Sequence, residues 1–160
     1  MNFMRREQKV AKLLIHNKKT LSLAESCTGG LLADRLTDIS GSSKFFKLGI
    51  IAYSNKAKNK ILKVPQKDLI KFGAVSSQVA RKMAKGVRRI LLTDFGLGIT
   101  GIAGPLGSAK NKTIGLVYIA IDTSKNNLCF KYVFKGPRRQ IKKKAADQAL
   151  KLLEEILLKL

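Results

Sequence analysis

The sequence contains no tryptophan, one histidine and two cysteines in 160 residues, and each shortage excludes a class of site. His16 is the single histidine and lies far in sequence from the polar motifs of the chain, so a Ser–His–Asp triad is not expected. One His and two scattered Cys give no zinc-ligand spacing. Cys27 and Cys129 are expected to be reduced thiols and not a disulfide.

Long hydrophobic runs are also absent. The longest apolar stretches are interrupted by charge or are too short to span a membrane, and the N-terminal run Leu13–Ile15 is too short for a signal peptide. No repeat or low-complexity linker divides the chain, so residues 1–160 are predicted to form one domain. We therefore expect a cytoplasmic protein with no membrane partner.

Acidic residues are scarce, with 10 Asp and Glu against 32 Lys and Arg, for a formal net charge of +22. This excess predicts non-specific, salt-dependent adhesion to polyanions. However, the basic residues are spread along the chain, the longest run is Lys142–Lys144, and only 6% of the residues are aromatic. Since no aromatic platform accompanies the charge, we interpret most of it as solvated surface and keep a basic nucleic-acid-binding protein as an alternative.

Hydrophobic periodicity predicts alternating helices and strands. The predicted helices cover about residues 3–17, 30–37, 55–62, 66–71, 77–92 and 137–160, and the predicted strands 20–25, 46–54, 95–100, 113–122 and 128–134. The second strand is apolar almost throughout, as in a strand covered on both faces. The last two strands are separated by a turn of hairpin length. This pattern predicts a three-layer α/β/α domain with a mixed sheet.

Two long predicted helices carry apolar stripes. Ser76 is the expected N-cap of the first of these helices. Its buried face is predicted to comprise Val79, Ala80, Met83, Ala84, Val87 and Leu91. The stripe of the last helix is predicted to comprise Ile141, Ala145, Ala149, Leu152, Ile156 and Leu160.

The segment Ser26–Gly30 follows a predicted strand and leads into a predicted helix. Its glycines allow close approach of the backbone to a ligand, and free N–H groups at a helix start can hold an anion. The alternative is an ordinary capped turn. Cys27 can be a thiolate nucleophile or a small packed residue, and we favour packing because neighbouring Ser26 and Cys27 are expected to point opposite ways.

Five motifs together resemble the CinA carboxy-terminal domain family, which includes nicotinamide-nucleotide amidases of the PncC type. The resemblance covers roughly residues 8–155. The motifs occur in the family's order and are Ala24–Gly30, Gly41–Ser43, Tyr53–Lys58, Gly73–Ser76 and Thr100–Pro105. The resemblance implies an amidohydrolase that converts nicotinamide mononucleotide to nicotinate mononucleotide and ammonia, in the recycling of pyridine nucleotides.

The resemblance also implies catalytic residues. Ser43 matches the family's proposed nucleophile, Lys58 its base, and Tyr53 a group that relays a proton or orients that base. Ser26 matches a second active-site serine, with substrate binding or an alternative nucleophile as its role. A lysine can serve as base when its pKa is lowered by desolvation or a nearby cation. The ordinary alternative for Ser42 and Ser43 is a helix cap or turn.

Substrate-binding residues are implied in the same way. The phosphate is expected at the helix start Thr28, Gly29 and Gly30, with Arg138 as its charged partner, and Thr100 and Gly101 are expected along the pyridine ring. Ser42 and Asn55 complete the implied binding set. The scheme requires no metal and no cofactor, and the resemblance suggests a homo-oligomer.

The sequence departs from the family pattern at two places. After Gly104-Pro105 it continues Leu106-Gly107-Ser108, where the family has a polar or acidic residue and two glycines. Pro137 replaces the acidic residue of a Gly-Asp-Arg element. Neither change removes an implied catalytic side chain, but the altered loop keeps a catalytically silent, nucleotide-binding member of the fold as a second alternative.

Overall fold

The computed structural model of the protein describes residues 4–107 and 112–160. Its helices are α1 (Arg6–His16), α2 (Leu31–Thr37), α3 (Asn55–Lys60), α4 (Gln66–Phe72), α5 (Ser77–Leu91) and α6 (Arg138–Leu157). Its strands are β1 (Leu21–Glu25), β2 (Phe46–Ile51), β3 (Phe95–Gly101), β4 (Leu116–Asp122) and β5 (Asn127–Val133). Within the described part of the chain, no helix has the length and apolar character that crossing a membrane requires.

The five strands form one mixed sheet in the order β2-β1-β3-β4-β5. β1 pairs in parallel with both β2 and β3, whereas β4 is antiparallel to β3 and β5 is antiparallel to β4. The carboxyl ends of β1, β2 and β3 therefore meet at one edge of the sheet, and their amino ends meet at the opposite edge. In open α/β sheets, ligands bind at the carboxyl edge.

Helices cover both faces of the sheet, as the sequence predicts for a three-layer α/β/α domain. On one face, α1 and α6 pack against side chains such as Leu23 and Ile99. On the other face, the α5 residues Val79, Met83 and Val87 pack with Ala24. Burial of these apolar side chains on both faces is the main source of stability of such a domain.

The prediction for α5 is confirmed at its start and along most of its stripe. Ser76 is the N-cap, and its Oγ accepts a hydrogen bond from the N–H of Val79 at 3.3 Å. The first five stripe residues are buried, but Leu91 is 53% exposed because the helix ends there. The prediction that Leu160 belongs to the buried stripe of the last helix is also wrong, since α6 ends at Leu157 and Leu160 is exposed.

The prediction that the second strand is covered on both faces is also wrong. β2 is a strand at the edge of the sheet, and its residues alternate between half-buried and exposed. It ends at Ile51, which is 55% exposed, and so is shorter than the apolar run suggests. An edge strand has a neighbour on one side only, so apolar residues there do not require full burial.

Candidate active site

A serine and a lysine meet at the carboxyl edge of the sheet. Ser26 directly follows β1, and Lys58 lies in α3, which follows β2. Because β1 and β2 are parallel neighbours, the segments after them lie side by side. Lys58 Nζ is 3.0 Å from Ser26 Oγ and donates a hydrogen bond to the carbonyl oxygen of Ala52 at 2.7 Å.

The surroundings of Lys58 favour an uncharged amine. The residue is only 2% exposed, and burial lowers the pKa of its ammonium group, with the neighbouring Cys27 opposing the shift. Within residues 4–107 and 112–160, no carboxylate forms an ion pair with it. A neutral amine that donates to Ala52 keeps its lone pair for the hydroxyl proton of Ser26. The pair has the geometry of a nucleophile with its base.

Cys27 is buried beside this pair as an inert thiol. Burial raises its pKa to about 12, so it carries no thiolate at neutral pH. This agrees with the prediction that it packs as a small apolar residue. Both residues line the cavity, with Ser26 Oγ on Lys58 and Cys27 in the apolar cluster that α1 and α6 cover.

The cavity has a volume of about 280 Å³. It brings together most of the residues that the resemblance implies, namely Ser26, Tyr53, Asn55, Lys58, Thr100, Gly101 and Arg138. Other lining residues come from the loop after β3 and from the segment before α5, and include Ala74, Val75, Ile102, Ala103, Gly104, Leu106 and Gly107. Thr100 is fixed by a hydrogen bond from its Oγ1 to the carbonyl oxygen of Ala74 at 2.8 Å.

Arg138, the first residue of α6, connects two walls of the cavity. One guanidinium nitrogen donates to the carbonyl oxygen of Gly104 at 2.6 Å, and the other donates to Tyr53 Oη at 2.8 Å. Tyr53 is 60% exposed at the cavity mouth. The structure thus pairs Tyr53 with Arg138, and among the described residues it has no hydrogen bond to Lys58. Within the described residues, no hydrogen bond supports a role for Tyr53 in orienting the base.

The predicted pairing of Ser43 with Lys58 is wrong. Ser42 and Ser43 lie in a short 3-10 helix that precedes β2, at the amino edge of the sheet. Leu21 pairs with Phe46 at that edge, whereas the cavity lies beyond the other end of the same strands. At about 3.3 Å per residue, a strand of this length separates Ser43 from Lys58 by roughly 15 Å or more. Ser43 is also exposed and Ser42 half-buried, as in an ordinary turn.

The predicted phosphate site at the start of α2 is occupied by the protein itself. The Glu25 carboxylate accepts hydrogen bonds from the N–H groups of Gly30 at 3.0 Å, Leu32 at 3.2 Å and Ala33 at 2.8 Å. Glu25 is 1% exposed. A carboxylate at a helix start satisfies the donors that a substrate anion would need. This internal cap instead fixes the turn that carries Ser26.

Thr28 does not reach the cavity either. Its side chain is fully buried, and Thr28 Oγ1 has no hydrogen-bond partner among the described residues. The backbone N–H groups of Cys27 and Thr28 come directly after that of Ser26. Within the described residues, neither donates one of the backbone hydrogen bonds that the turns and loops make. These N–H groups are the candidate donors for a developing oxyanion.

Sequence reasoning missed one feature of the site, the internal cap. Glu25 is recognisable as a cap, because it is an acidic residue at the end of a strand just before a helix start. The loop after β3 forms one cavity wall through Ile102–Gly104, Leu106 and Gly107. The altered segment at Leu106 and Gly107 lies at this wall, while residues 108–111 lie outside the described part of the chain. No three metal-binding side chains cluster within the described residues.

Comparison with known proteins identifies the family of this chain. The model of the CinA C-terminal domain matches residues 4–157. The chain belongs to the CinA C-terminal domain family. A CinA-like protein of Syntrophus aciditrophicus is 51% identical over 152 residues, covering 94% of this chain and 36% of that protein. A CinA-like protein of Endomicrobium trichonymphae is 46% identical, covering 92% of this chain and 34% of that protein. The chain thus spans about a third of the length of these curated relatives.

Two solved CinA-superfamily structures share the fold along nearly their whole length. The competence damage-inducible protein A of Klebsiella pneumoniae superposes with a TM-score of 0.94 at 30% identity, over 96% of this chain and 95% of that one. The competence/damage inducible protein CihA of Agrobacterium tumefaciens gives 0.88 at 36% identity, over 98% of each chain. This CinA C-terminal domain therefore has the α/β fold of its superfamily.

Proposed function

We propose that this CinA C-terminal domain is an amidohydrolase that uses Ser26 as nucleophile and Lys58 as general base. The observation that carries the proposal is the 3.0 Å contact between Ser26 Oγ and a lysine amine that is 2% exposed. A surface lysine is charged at neutral pH and cannot take a proton, whereas burial favours the neutral form. Ser26 replaces Ser43, the residue implied by the resemblance, because Ser26 is the serine within reach of the base.

In the proposed reaction, Ser26 Oγ attacks the carboxamide carbon and Lys58 Nζ takes the hydroxyl proton. The tetrahedral intermediate places its oxyanion near the N–H groups after Ser26. Lys58 then returns the proton to the amide nitrogen, the C–N bond breaks and ammonia leaves. Water, deprotonated by the same lysine, attacks the acyl-enzyme, and this step releases the carboxylate and regenerates Ser26. Each proton taken by Lys58 is given back within one cycle.

We propose nicotinamide mononucleotide as the substrate. The family resemblance carries this choice, and two features of the cavity support it. Its wall at Ile102 and Ala103 offers apolar surface for a pyridine ring. Arg138 supplies a cation at the mouth for a phosphate group.

Ammonia release tests the proposal. Purified protein is incubated with nicotinamide mononucleotide, with and without a chelator, beside the Ser26→Ala variant. We expect ammonia and nicotinate mononucleotide in equal amounts, no effect of the chelator, and loss of both products in the variant. Calorimetric binding of the mononucleotide without turnover would contradict catalysis and favour the silent, nucleotide-binding alternative. Binding to nucleic acid that persists with sequence preference at physiological salt would favour the other alternative.

A further inference from the structure

We infer that Lys112 is a positioning residue, which holds two walls of the cavity together and so sets how tightly the substrate binds. The inference rests on the proposed function for the identity of the substrate, whereas the contacts of Lys112 do not depend on it. Lys112 lies between β3 and β4, in the connection that also supplies the cavity wall at Ile102–Gly104, Leu106 and Gly107. It is not itself among the described residues that line the cavity, so it acts through residues that do.

The ammonium group of Lys112 donates hydrogen bonds to the opposite wall. Its Nζ is 3.0 Å from the carbonyl oxygen of Phe72, the last residue of α4, and 2.7 Å from that of Val75. Val75 lines the cavity and is 8% exposed. Lysine side chains commonly bind the last carbonyl groups of a helix, and hydrogen bonds from a charged donor are strong. Two such bonds from one group fix the segment between α4 and α5.

Gly73 leaves the space that this contact needs. A Cβ at that position would lie 2.9 Å from Lys112 Nζ, which is closer than side-chain atoms pack. The backbone of Gly73 also has a φ of +77°, a conformation that glycine adopts without steric cost. The contact therefore gives a role to the motif Gly73–Ser76, because its glycine admits the lysine and its serine caps α5.

The same segment is tied to the sheet by two further contacts. Thr100 Oγ1 donates to the carbonyl oxygen of Ala74, and Val75 packs in an apolar cluster with Ile102. All four of these residues line the cavity. Within residues 4–107 and 112–160, no carboxylate forms an ion pair with Lys112. Among the described residues, its ammonium group is thus held by carbonyl oxygens at the cavity wall.

The wall that Lys112 holds is separate from the reacting groups. Ser26 belongs to the turn after β1 and Lys58 to α3, and their hydrogen bonds involve no atom of Lys112. The pair of nucleophile and base should therefore keep its geometry when Lys112 is replaced. Release of the wall should weaken substrate binding more than it slows the chemical step.

The split between KM and kcat tests this role. Lys112→Met removes the charge and should raise KM for nicotinamide mononucleotide about 10-fold, with kcat within about 3-fold of wild type. Lys112→Arg should restore KM, since a guanidinium can donate to both carbonyl oxygens. The matched control is Lys47→Met, which removes a lysine bonded to the carbonyl oxygen of Ser43 and should leave KM unchanged. An unchanged KM in Lys112→Met, or an equal rise in Lys47→Met, overturns the inference.

Hydrogen exchange separates this inference from the proposed reaction, because it needs no substrate. Mass spectrometry follows exchange of the backbone amides of residues 72–77 in the wild-type protein and in the same three variants. We expect faster exchange in Lys112→Met, and wild-type exchange in Lys112→Arg and Lys47→Met. This result supports the contact even if no ammonia is released. Unchanged exchange in Lys112→Met overturns the inference even if the amidase activity is present.

Discussion

Two turns of this chain each combine serine with glycine, but they differ in their place relative to a strand, in the exposure of the serine and in its contact with a lysine. Ser26 follows a strand, is 8% exposed and contacts a buried lysine. Ser43 precedes a strand, is exposed, and its carbonyl oxygen accepts a hydrogen bond from Lys47 at 2.6 Å. The direction of the adjoining strand decides between them, because a segment after a parallel strand and a segment before one lie at opposite edges of the sheet. A hydroxyl near glycines is therefore informative only when its place relative to the strand is known.

The largest difference between the two turns is expected in turnover. Ser26→Ala removes the nucleophile and should reduce kcat on the order of 1,000-fold or more. Ser43→Ala is the matched control and should keep near wild-type kcat, since Ser43 is not among the described residues that line the cavity. Ammonia release under saturating substrate measures both. An inactive Ser43→Ala beside an active Ser26→Ala would reverse the assignment.

Of the two serines, Ser26 contacts a lysine that can act as its base, and the pH profile of activity tests this role of Lys58. Burial lowers the pKa of Lys58 from its ordinary value of 10.5. Only the neutral amine accepts a proton, so kcat/KM should rise with pH through that lowered pKa and then stay level in the alkaline range. Ser43→Ala should show the same profile. A profile that is flat from neutral to alkaline pH would exclude Lys58 as the base.

The turn at Ser26 is stabilised by the side chain of Glu25, and the turn at Ser43 has no such side chain. Its carboxylate accepts three backbone N–H groups, while the turn at Ser43 has no side-chain cap. Glu25→Gln replaces a charged acceptor with an amide and should lower the free energy of unfolding by about 1–3 kcal/mol. Because Ser26 is the next residue, kcat should fall as well. Denaturant unfolding and ammonia release measure the two effects.

The control for this prediction is Glu155→Gln. Glu155 is an exposed acid on α6, 3.9 Å from Lys151 in a surface salt bridge. Its replacement should change the free energy of unfolding by less than about 0.5 kcal/mol. Equal effects of the two substitutions would mean that the cap adds nothing beyond an ordinary surface charge.

The smallest effect is expected at Cys27. Its thiol is protonated at neutral pH because burial raises its pKa to about 12, so it should react slowly with iodoacetamide. Cys27→Ala should retain most of the activity, with a modest loss of stability from the vacated volume. Loss of turnover as complete as in Ser26→Ala, together with rapid alkylation of Cys27, would make the thiol the nucleophile.

Much of the fold could be predicted from periodicity and caps. Ser76 caps α5, and the stripe from Val79 to Val87 is buried because a helix has a fixed repeat. The errors occur where tertiary position overrides local pattern. β2 is apolar yet lies at the sheet edge, and the place of a strand in the sheet depends on pairing that is distant in sequence.

The candidate site was predicted in part. Lys58 lies in the helix that follows β2, Thr100 near the end of β3 and Arg138 at the start of α6, and all three line the cavity at the carboxyl edge. Ser43 is implied by the family resemblance alone, and the resemblance does not take strand direction into account. The phosphate site at Gly30 failed because periodicity does not indicate that a side chain five residues earlier turns back onto the helix start.

The most direct test of the central claim is a double-mutant cycle on Ser26 and Lys58. Ammonia release is measured for Ser26→Ala, Lys58→Met and the double variant, with circular dichroism to verify that each is folded. Methionine keeps the length of the buried side chain without its amine. If the two residues act as one unit, each single variant loses nearly all activity and the double variant is little worse. Losses that multiply, or a Lys58→Met enzyme with near-normal turnover, would contradict the account.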